Sequence, residues 1–387
     1  MEKGGLDLYS NVIYLGSMGA GLLFCLAYQS GCFRLGREIS RGAGCALAAL
    51  PFALILGLRA YTVGYDTYSY TYHIYGSLIT NADREVVFSF VVRLLHWLTG
   101  GKNYTAMLLF FSFATVFLAF YASDLLGGRR RMTVFYSVYC LMFGLCVTDQ
   151  FRQLLGCSLF LLALAFYYKD KKAVSLFVAF LAAGVHLTSL LALAVYIVCC
   201  LVVREKERQV AFWFQAKRMC ALVCSKRLVL FFVLLTTGTL LFYISGEFLE
   251  LIAQLLPKAY ARYITERLDY KQIGFGLLLD SMIAVPGIFL SRYTQNKKEK
   301  AMLLFGLLIP AFRICGYVSY FLYRMIYYPQ IVLMAFYAVV LAKRPVPVYW
   351  KWIILGICGL FYAVNYMYMD YHGSFPYRFY FEVPGLW

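Results

Sequence analysis

Apolar residues in this chain come in long unbroken runs rather than in the alternation of a half-buried strand. The runs cover residues 10–29, 43–58, 103–123, 132–147, 151–168, 173–186, 188–203, 228–245, 273–291, 301–319, 321–342 and 352–369. A helix needs about 20 apolar residues to span a hydrocarbon core of about 30 Å. The pattern therefore predicts an all-α, polytopic transmembrane protein with about a dozen crossings (11–13). Residues 173–203 also read as one long helix. They are divided here because the basic clusters at 169–172 and 204–208 both look cytoplasmic, and two short crossings restore the parity.

Two apolar stretches do not fit a crossing. Val86–Thr99 is short and contains Arg93 and His96. If it crossed, Arg129–Arg131 would lie outside, so it is expected as a re-entrant or interfacial helix on the outer side. Residues 247–271 behave similarly. Phe248, Leu251, Ile252, Leu255 and Leu256 keep helical spacing up to Pro257, and Tyr260, Tyr263 and Ile264 share a face beyond it. The predicted organisation is a single transmembrane domain over 1–387. It carries outer-side segments at 59–102 and 247–272 and a cytoplasmic basic loop at 204–227. The first run follows Glu2, Lys3 and Asp7, which argues against a cleaved signal peptide.

Composition agrees: 62% of the 387 residues are hydrophobic and 14% are charged, against about 25% charged in soluble domains. Charge then sets orientation. Connections 30–42, 127–131, 169–172, 204–227, 292–300 and 343–351 hold 23 of the 36 Lys and Arg. With Asp124 they hold 6 of the 19 Asp and Glu, so the net charge of +17 sits on one side. By the positive-inside rule that side is cytoplasmic. The basic pI of 9.3 is thus a topology signal, and nucleic acid is not an expected partner. The 12 Cys fall mostly in apolar runs without a CxxC pair, and the four His are scattered. They give no metal-ligand spacing, and no metal or cofactor is expected. Most of the 34 Tyr suit interfacial belts; those of the outer loops also suit sugar binding.

Charged groups at membrane depth mark function. Four polar stretches fall at predicted outer helix ends: Arg59 through Tyr65, Asp66, Tyr68, Tyr70 and Tyr72; Asp149-Gln150-Phe151-Arg152-Gln153; His186 with Thr188 and Ser189; and Tyr323-Arg324 with Tyr327 and Tyr328. Arg59, Arg152 and Arg324 are planar cationic forks suited to phosphate oxygens. Asp66, Glu85 and Asp149 are candidate proton or hydroxyl acceptors, and His186 a candidate base. Each also has a plainer reading. Arg59 snorkels, Arg324 anchors the interface, Arg152 pairs locally with Asp149, His186 packs, and Asp66 forms a turn after Gly64. Arg313 and Asp280 sit deeper, as an intramembrane pair or facing the same cavity.

These residues bring in a family. An Arg-x4-Gly-x-Asp-Thr loop (Arg59 to Thr67), Glu85 opening an amphipathic segment, Arg152-Gln153 opening a helix, His186 followed by Ser189, and a Tyr-Arg-x-x-Tyr-Tyr run from Tyr323 to Tyr328 occur in order. Over about residues 40–345 the chain resembles the EpsG-like branch of Wzy-type polysaccharide polymerases. The resemblance implies a GT-C-like membrane glycosyltransferase of capsule, O-antigen or exopolysaccharide synthesis. It would join undecaprenyl-pyrophosphate-linked oligosaccharides on the outer face of the bacterial cytoplasmic membrane. A chain-length regulator and a flippase would be partners. Arg152 and Arg324, assisted by Arg59, would neutralise the pyrophosphate. Asp66, Glu85 or His186 would take the acceptor's proton. Tyr65, Tyr68, Tyr70 and Tyr328, with Gln153, would contact substrate. The alternatives are a lipid-linked glycan ligase, a membrane O-acyltransferase using His186, and a lipid-linked oligosaccharide transporter. An outer His186 and the lack of an internal repeat count against the last two.

Overall fold

The computed structural model of the chain describes residues 7–32, 36–78, 85–212, 270–316, 319–343 and 345–383. The described residues form helices and turns without a strand; one isolated bridge joins Arg59 to Phe379. The expected crossing at 228–245 and nearly all of the outer segment at 247–271 lie outside the described residues. So does most of the basic loop 204–227.

Seven helices among the described residues are long and apolar enough to cross a bilayer: Leu8–Ser30, Ile39–Gly57, Tyr104–Gly127, Gly144–Tyr168, Gly276–Tyr293, Leu322–Leu341 and Tyr349–Tyr368. Each coincides with an expected run. Two further runs form the shorter apolar helices Lys172–Val185 and Thr188–Val203, with the latter helix continuing to Phe212. The remaining two are broken. Run 132–147 is helical only over Met132–Met142 before a 3-10 turn at Gly144–Cys146. Run 301–319 divides into Lys297–Gly306 and Ile309–Cys315. Pro310 is accommodated there because it falls in a first turn, where no intrahelical donor is needed.

The chain divides into two compact units. The first comprises Met1–Leu191 and Met334–Trp387, the second Ala192–Leu333. In the first, the helices are α1 (Leu8–Ser30), α2 (Arg37–Gly57), α3 (Val86–Thr99), α4 (Tyr104–Gly127), α5 (Met132–Met142), α6 (Val147–Tyr168) and α7 (Lys172–Val185). Tyr349–Tyr362 closes it and runs into a π turn at Ala363–Tyr368.

Polar residues place the helix ends. The Asp7 carboxylate accepts the Ser10 amide at the start of α1, and Gly31, at φ 85°, ends it. Asn103 caps α4 through the Thr105 amide, 3.0 Å. α6 is the core of the unit and is buried almost all round from Val147 to Ala165. α1, α3 and α7 instead expose large apolar side chains, among them Leu23, Phe90, Trp97, Phe177 and Phe180. An apolar outer surface next to a buried helix is what lipid solvation allows.

The two ends of this unit differ chemically. At one end Arg41 pairs with Asp124, Arg129 lies against Gly31, and Thr133 donates to Gln29 at 2.8 Å. The basic segments 30–42 and 127–131 meet there. The opposite end collects the loop after α2, the start of α3 and α6, the end of α7 and the C-terminal tail. Almost every polar group singled out in the first unit's sequence lies at this second end.

Candidate active site

The loop leaving α2 is built onto the first turn of α6. Its anchor is the Thr148 carbonyl. The Thr67 hydroxyl donates to it at 2.7 Å and Arg59 Nη2 at 3.0 Å. α6 makes this possible by kinking at Gln150, whose φ −117° and ψ 37° are non-helical. Gly64 sits at φ 93°, and a Cβ there would collide with the Thr148 carbonyl oxygen. The Asp66 amide donates to Asp149 Oδ1 at 2.9 Å. The Arg-x4-Gly-x-Asp-Thr spacing is therefore the geometry of one loop docked on one kinked helix start.

Arg59 has a different place from the phosphate contact expected of it. Its side chain is 0% exposed. Its donors go to the Leu56 carbonyl, the Thr148 carbonyl and Thr67 Oγ1. Burial pulls its pKa down to about 10, and it stays charged at neutral pH. The guanidinium holds the loop rather than lining a surface.

Beyond the loop, Tyr68 leads into a π-helical turn, Ser69–Gly76. The wide turn sends neighbouring tyrosines to opposite sides. Tyr70 points inward, is buried, and packs on Phe151 with ring centroids 4.2 Å apart. Tyr68 and Tyr72 point outward and stack at 5.5 Å, with Tyr61 and His73 against Tyr68. Tyr65 is exposed nearby. Of the tyrosines expected to meet substrate, Tyr65 and Tyr68 form part of an open rim, whereas Tyr70 is covered.

Tyr70 leads to the charged centre. The Arg152 guanidinium lies 5.8 Å from the Tyr70 ring centre and 5.4 Å from that of Phe88. Arg152 Nη1 pairs with Glu85 Oε2 at 2.5 Å, and His186 Nδ1 donates to Glu85 Oε1 at 2.7 Å. One carboxylate thus joins Arg152 of α6 to His186, the residue that ends α7 in extended conformation (φ −153°, ψ 117°). Arg152 does not use Asp149 as its partner. Burial opposes charge on Glu85, but the His186 hydrogen bond and the Arg152 charge outweigh it and hold its pKa below the usual carboxylate value. The Arg152 side chain is 22% exposed against 3% for Glu85, so the arginine is the more exposed member of the pair. Gln153, the next residue, is buried.

A second cluster was not visible in the sequence. After the last helix the chain turns back, and His372 Nδ1 donates to Asp149 Oδ2 at 3.2 Å. Its Nε2 lies 3.3 Å from Cys146 Sγ, and Cys146 lies 3.1 Å from the Tyr366 hydroxyl. Burial works against charge on His372, yet the Cys146 sulfur and the Asp149 carboxylate offset it and raise the pKa to about 10. Asp370 is pushed up to about 6 by burial. His372 is separated by more than 220 positions from both partners, and no local pattern connects them.

The second unit has its own polar centre. Arg313 Nε donates to Asp280 Oδ2 at 2.5 Å and its Nη1 to the Tyr323 hydroxyl at 3.0 Å. Gln330 completes the network on Asp280 at 3.4 Å. Of the two readings open for Asp280 and Arg313 in the sequence, the structure shows them paired. Arg324 lies over the Tyr320 ring at 4.8 Å, and Tyr328 is fully buried.

The family model of the EpsG family matches residues 44–379. The chain belongs to the EpsG family. Membership and the seven apolar helices together suggest a multi-pass membrane polysaccharide polymerase. The EpsG match takes in Arg59, Glu85, Arg152, His186 and Arg324. It also runs past the 40–345 span of the sequence motifs, through the tail that carries His372. Searches of curated proteins and of solved structures find no match.

Proposed function

We propose that this EpsG-family chain polymerises oligosaccharide repeat units carried on undecaprenyl pyrophosphate, at the outer face of the cytoplasmic membrane. The observation that carries the proposal is the Glu85 carboxylate shared by Arg152 and His186, at the end of the first unit opposite its basic segments. An acceptor hydroxyl oxygen attacks the anomeric carbon of the growing chain. A new glycosidic C–O bond forms as the C–O bond to pyrophosphate breaks, and the leaving group keeps the electron pair. Glu85 orients His186, and the pair receives the hydroxyl proton, following the base-plus-orienter logic of other transferases.

Arg152 supplies fixed positive charge where the pyrophosphate develops negative charge. Preorganised donors in a dry site are worth about 10²–10³ in kcat each. Arg59 acts behind this, by holding the loop that presents Asp66 and the tyrosine rim. The rim of Tyr65, Tyr68 and Tyr72 offers flat faces to sugar rings. Arg324, in the second unit, is the sequence-based candidate for a further phosphate contact.

The test is chain growth by purified protein on a lipid-pyrophosphate repeat unit. A ladder of products supports a polymerase, and a single transfer supports a ligase. Arg152→Ala is expected to lower the rate by about 10²-fold or more, and Arg324→Ala is measured separately. Folded Arg152→Ala protein with the wild-type rate removes the charge role.

A further inference from the structure

Residues 370–380 are an unusual tail. Although they follow the last helix, they bond to three other parts of the first unit: the loop after α2, α1 and α6. The Gly64 amide donates to the Gly373 carbonyl at 2.7 Å, and the Ala60 amide to the Arg378 carbonyl at 2.8 Å. The Tyr380 amide donates to the Leu58 carbonyl at 2.9 Å. On α1, the Tyr14 hydroxyl donates to the Ser374 carbonyl at 2.8 Å, and Ser10 Oγ accepts the Tyr377 amide at 2.6 Å. On α6, Thr148 Oγ1 lies 2.8 Å from Ser374 Oγ. The Tyr65 hydroxyl donates to the Asp370 carbonyl at 3.1 Å.

Beside these neutral bonds, the tail makes a charged contact to α6 through His372 on Asp149. The Asp149 carboxylate is divided between two duties. Oδ2 faces His372, and Oδ1 accepts the Asp66 amide. One anion therefore ties the tail to the loop that carries Asp66, Tyr68 and, through the π turn, Tyr70 under Arg152. Cys146, His372 and Asp149 also stand in the order of a nucleophile, base and orienter. The thiol is a poor nucleophile here, because Cys146 is 4% exposed and its sulfur also meets Tyr366. A holding role fits the burial better.

We infer that His372 is a positioning residue of the active site: through Asp149 it clamps the loop over residues 59–68 against α6, so that the C-terminal tail completes the site. This rests on the reading of Glu85, Arg152 and His186 as the reaction centre. The groups facing His372 are Asp149, Cys146, Tyr366 and Asp370. Of these, Asp149 takes its Nδ1 proton. Neutralising either member of the pair leaves the other charge without its counter-ion and loosens the loop. Neutralising both removes that mismatch, so the two substitutions are coupled rather than additive.

The experiment is hydrogen exchange by mass spectrometry on full-length protein in lipid nanodiscs, with His372→Gln, Asp149→Asn and the double variant. Peptides over residues 60–70 are expected to exchange roughly tenfold faster in each single variant, and the double variant to be no worse than the worse single one. Peptides from α4 serve as the folding reference and are expected to stay protected. Wild-type exchange over 60–70 in both single variants overturns the clamp. So does independent, multiplicative loosening in the double variant. Should one single variant also lose α4 protection, the other decides. Polymer assays run in parallel separate the clamp from the site reading. If the loop loosens while the rate and the KM for acceptor stay at wild-type values, the clamp exists, but residues 59–68 do not serve the reaction.

Discussion

The Glu85 carboxylate and the His186 imidazole meet at 2.7 Å across 101 positions of sequence. Glu85 opens α3 and His186 closes α7, so the contact forms only when the two short helices pack end to end. Gly184 allows this approach, since a Cβ at that position would reach within 2.5 Å of the Val87 side chain. Two helices of 14 residues each thus place the acid and the imidazole more rigidly than loops would.

This contact predicts a pH-dependent stability. The folded pKa of Glu85 lies below its ordinary value of 4.5. Its stabilisation is therefore fully present above about pH 4.5 and is lost as pH falls through the lower, folded value. Glu85→Gln removes the Glu85 charge from Arg152, and a broken buried pair costs about 3 kcal/mol. Thermal unfolding between pH 7 and pH 3 checks both statements. The wild-type advantage over the variant is expected at pH 7 and is expected to shrink on acidification. A constant offset at every pH contradicts the assignment.

Gly64 predicts a backbone effect. Gly64→Ala places a methyl group in the left-handed region and against the Thr148 carbonyl. Left-handed backbone alone costs about 1–2 kcal/mol, and the collision adds to it. The variant is expected to unfold at lower temperature and to expose residues 60–70 to protease. Gly100→Ala is the control: it shares a positive φ of 63° but meets nothing within 4 Å, so it should lose only the smaller backbone part.

The sequence shows the membrane class, the seven helices long and apolar enough to cross among its dozen expected runs, the break between residues 173–186 and 188–203, and the candidates Glu85, Arg152 and His186. These are carried by apolar run length and by charge placed where lipid disfavours it. Pairing was harder. Asp149 looks like the local partner of Arg152, three residues away. The kink at Gln150 instead leaves Asp149 to the Asp66 amide and His372. Tyr70 and Tyr68 look equivalent in sequence, but the π turn at Ser69–Gly76 buries one and exposes the other. His372 lies in an aperiodic tail, and its ring bonds only to Asp149 and Cys146, more than 220 positions away, so nothing local marks it. Runs 132–147 and 301–319 read as unbroken helices because hydropathy averages over a break that Gly144, Gly306 and Pro310 only hint at.

The second unit gives a charge-pair prediction. Asp280 is fully buried and holds Arg313 and Gln330. Asp280→Asn or Arg313→Gln alone leaves an uncompensated charge in an apolar setting, at a cost of about 3–5 kcal/mol. The double substitution keeps hydrogen-bonding groups at both positions without any charge, so it is expected to be less damaging than either single change. Unfolding midpoints of the four proteins in detergent form the cycle. Additive losses would mean that the two side chains act separately, against the geometry.

Orientation is open to a direct chemical test because the basic end carries an exposed thiol. Cys32 is exposed just beyond α1, next to Gly31, which lies against the Arg129 guanidinium. The positive-inside rule puts that end in the cytoplasm. A membrane-impermeant maleimide is therefore expected to label Cys32 in inverted vesicles and to leave it unlabelled in intact cells. In a Cys32→Ser background, Tyr72→Cys on the exposed aromatic rim is expected to label with the opposite preference. The two thiols report on opposite ends of one helical unit, so their labelling must exchange together. The reverse pattern would turn the Glu85–Arg152–His186 cluster toward the cytoplasm, and the outer-face reaction would be excluded. Labelling of both thiols from one side would contradict the separation of the unit's two ends.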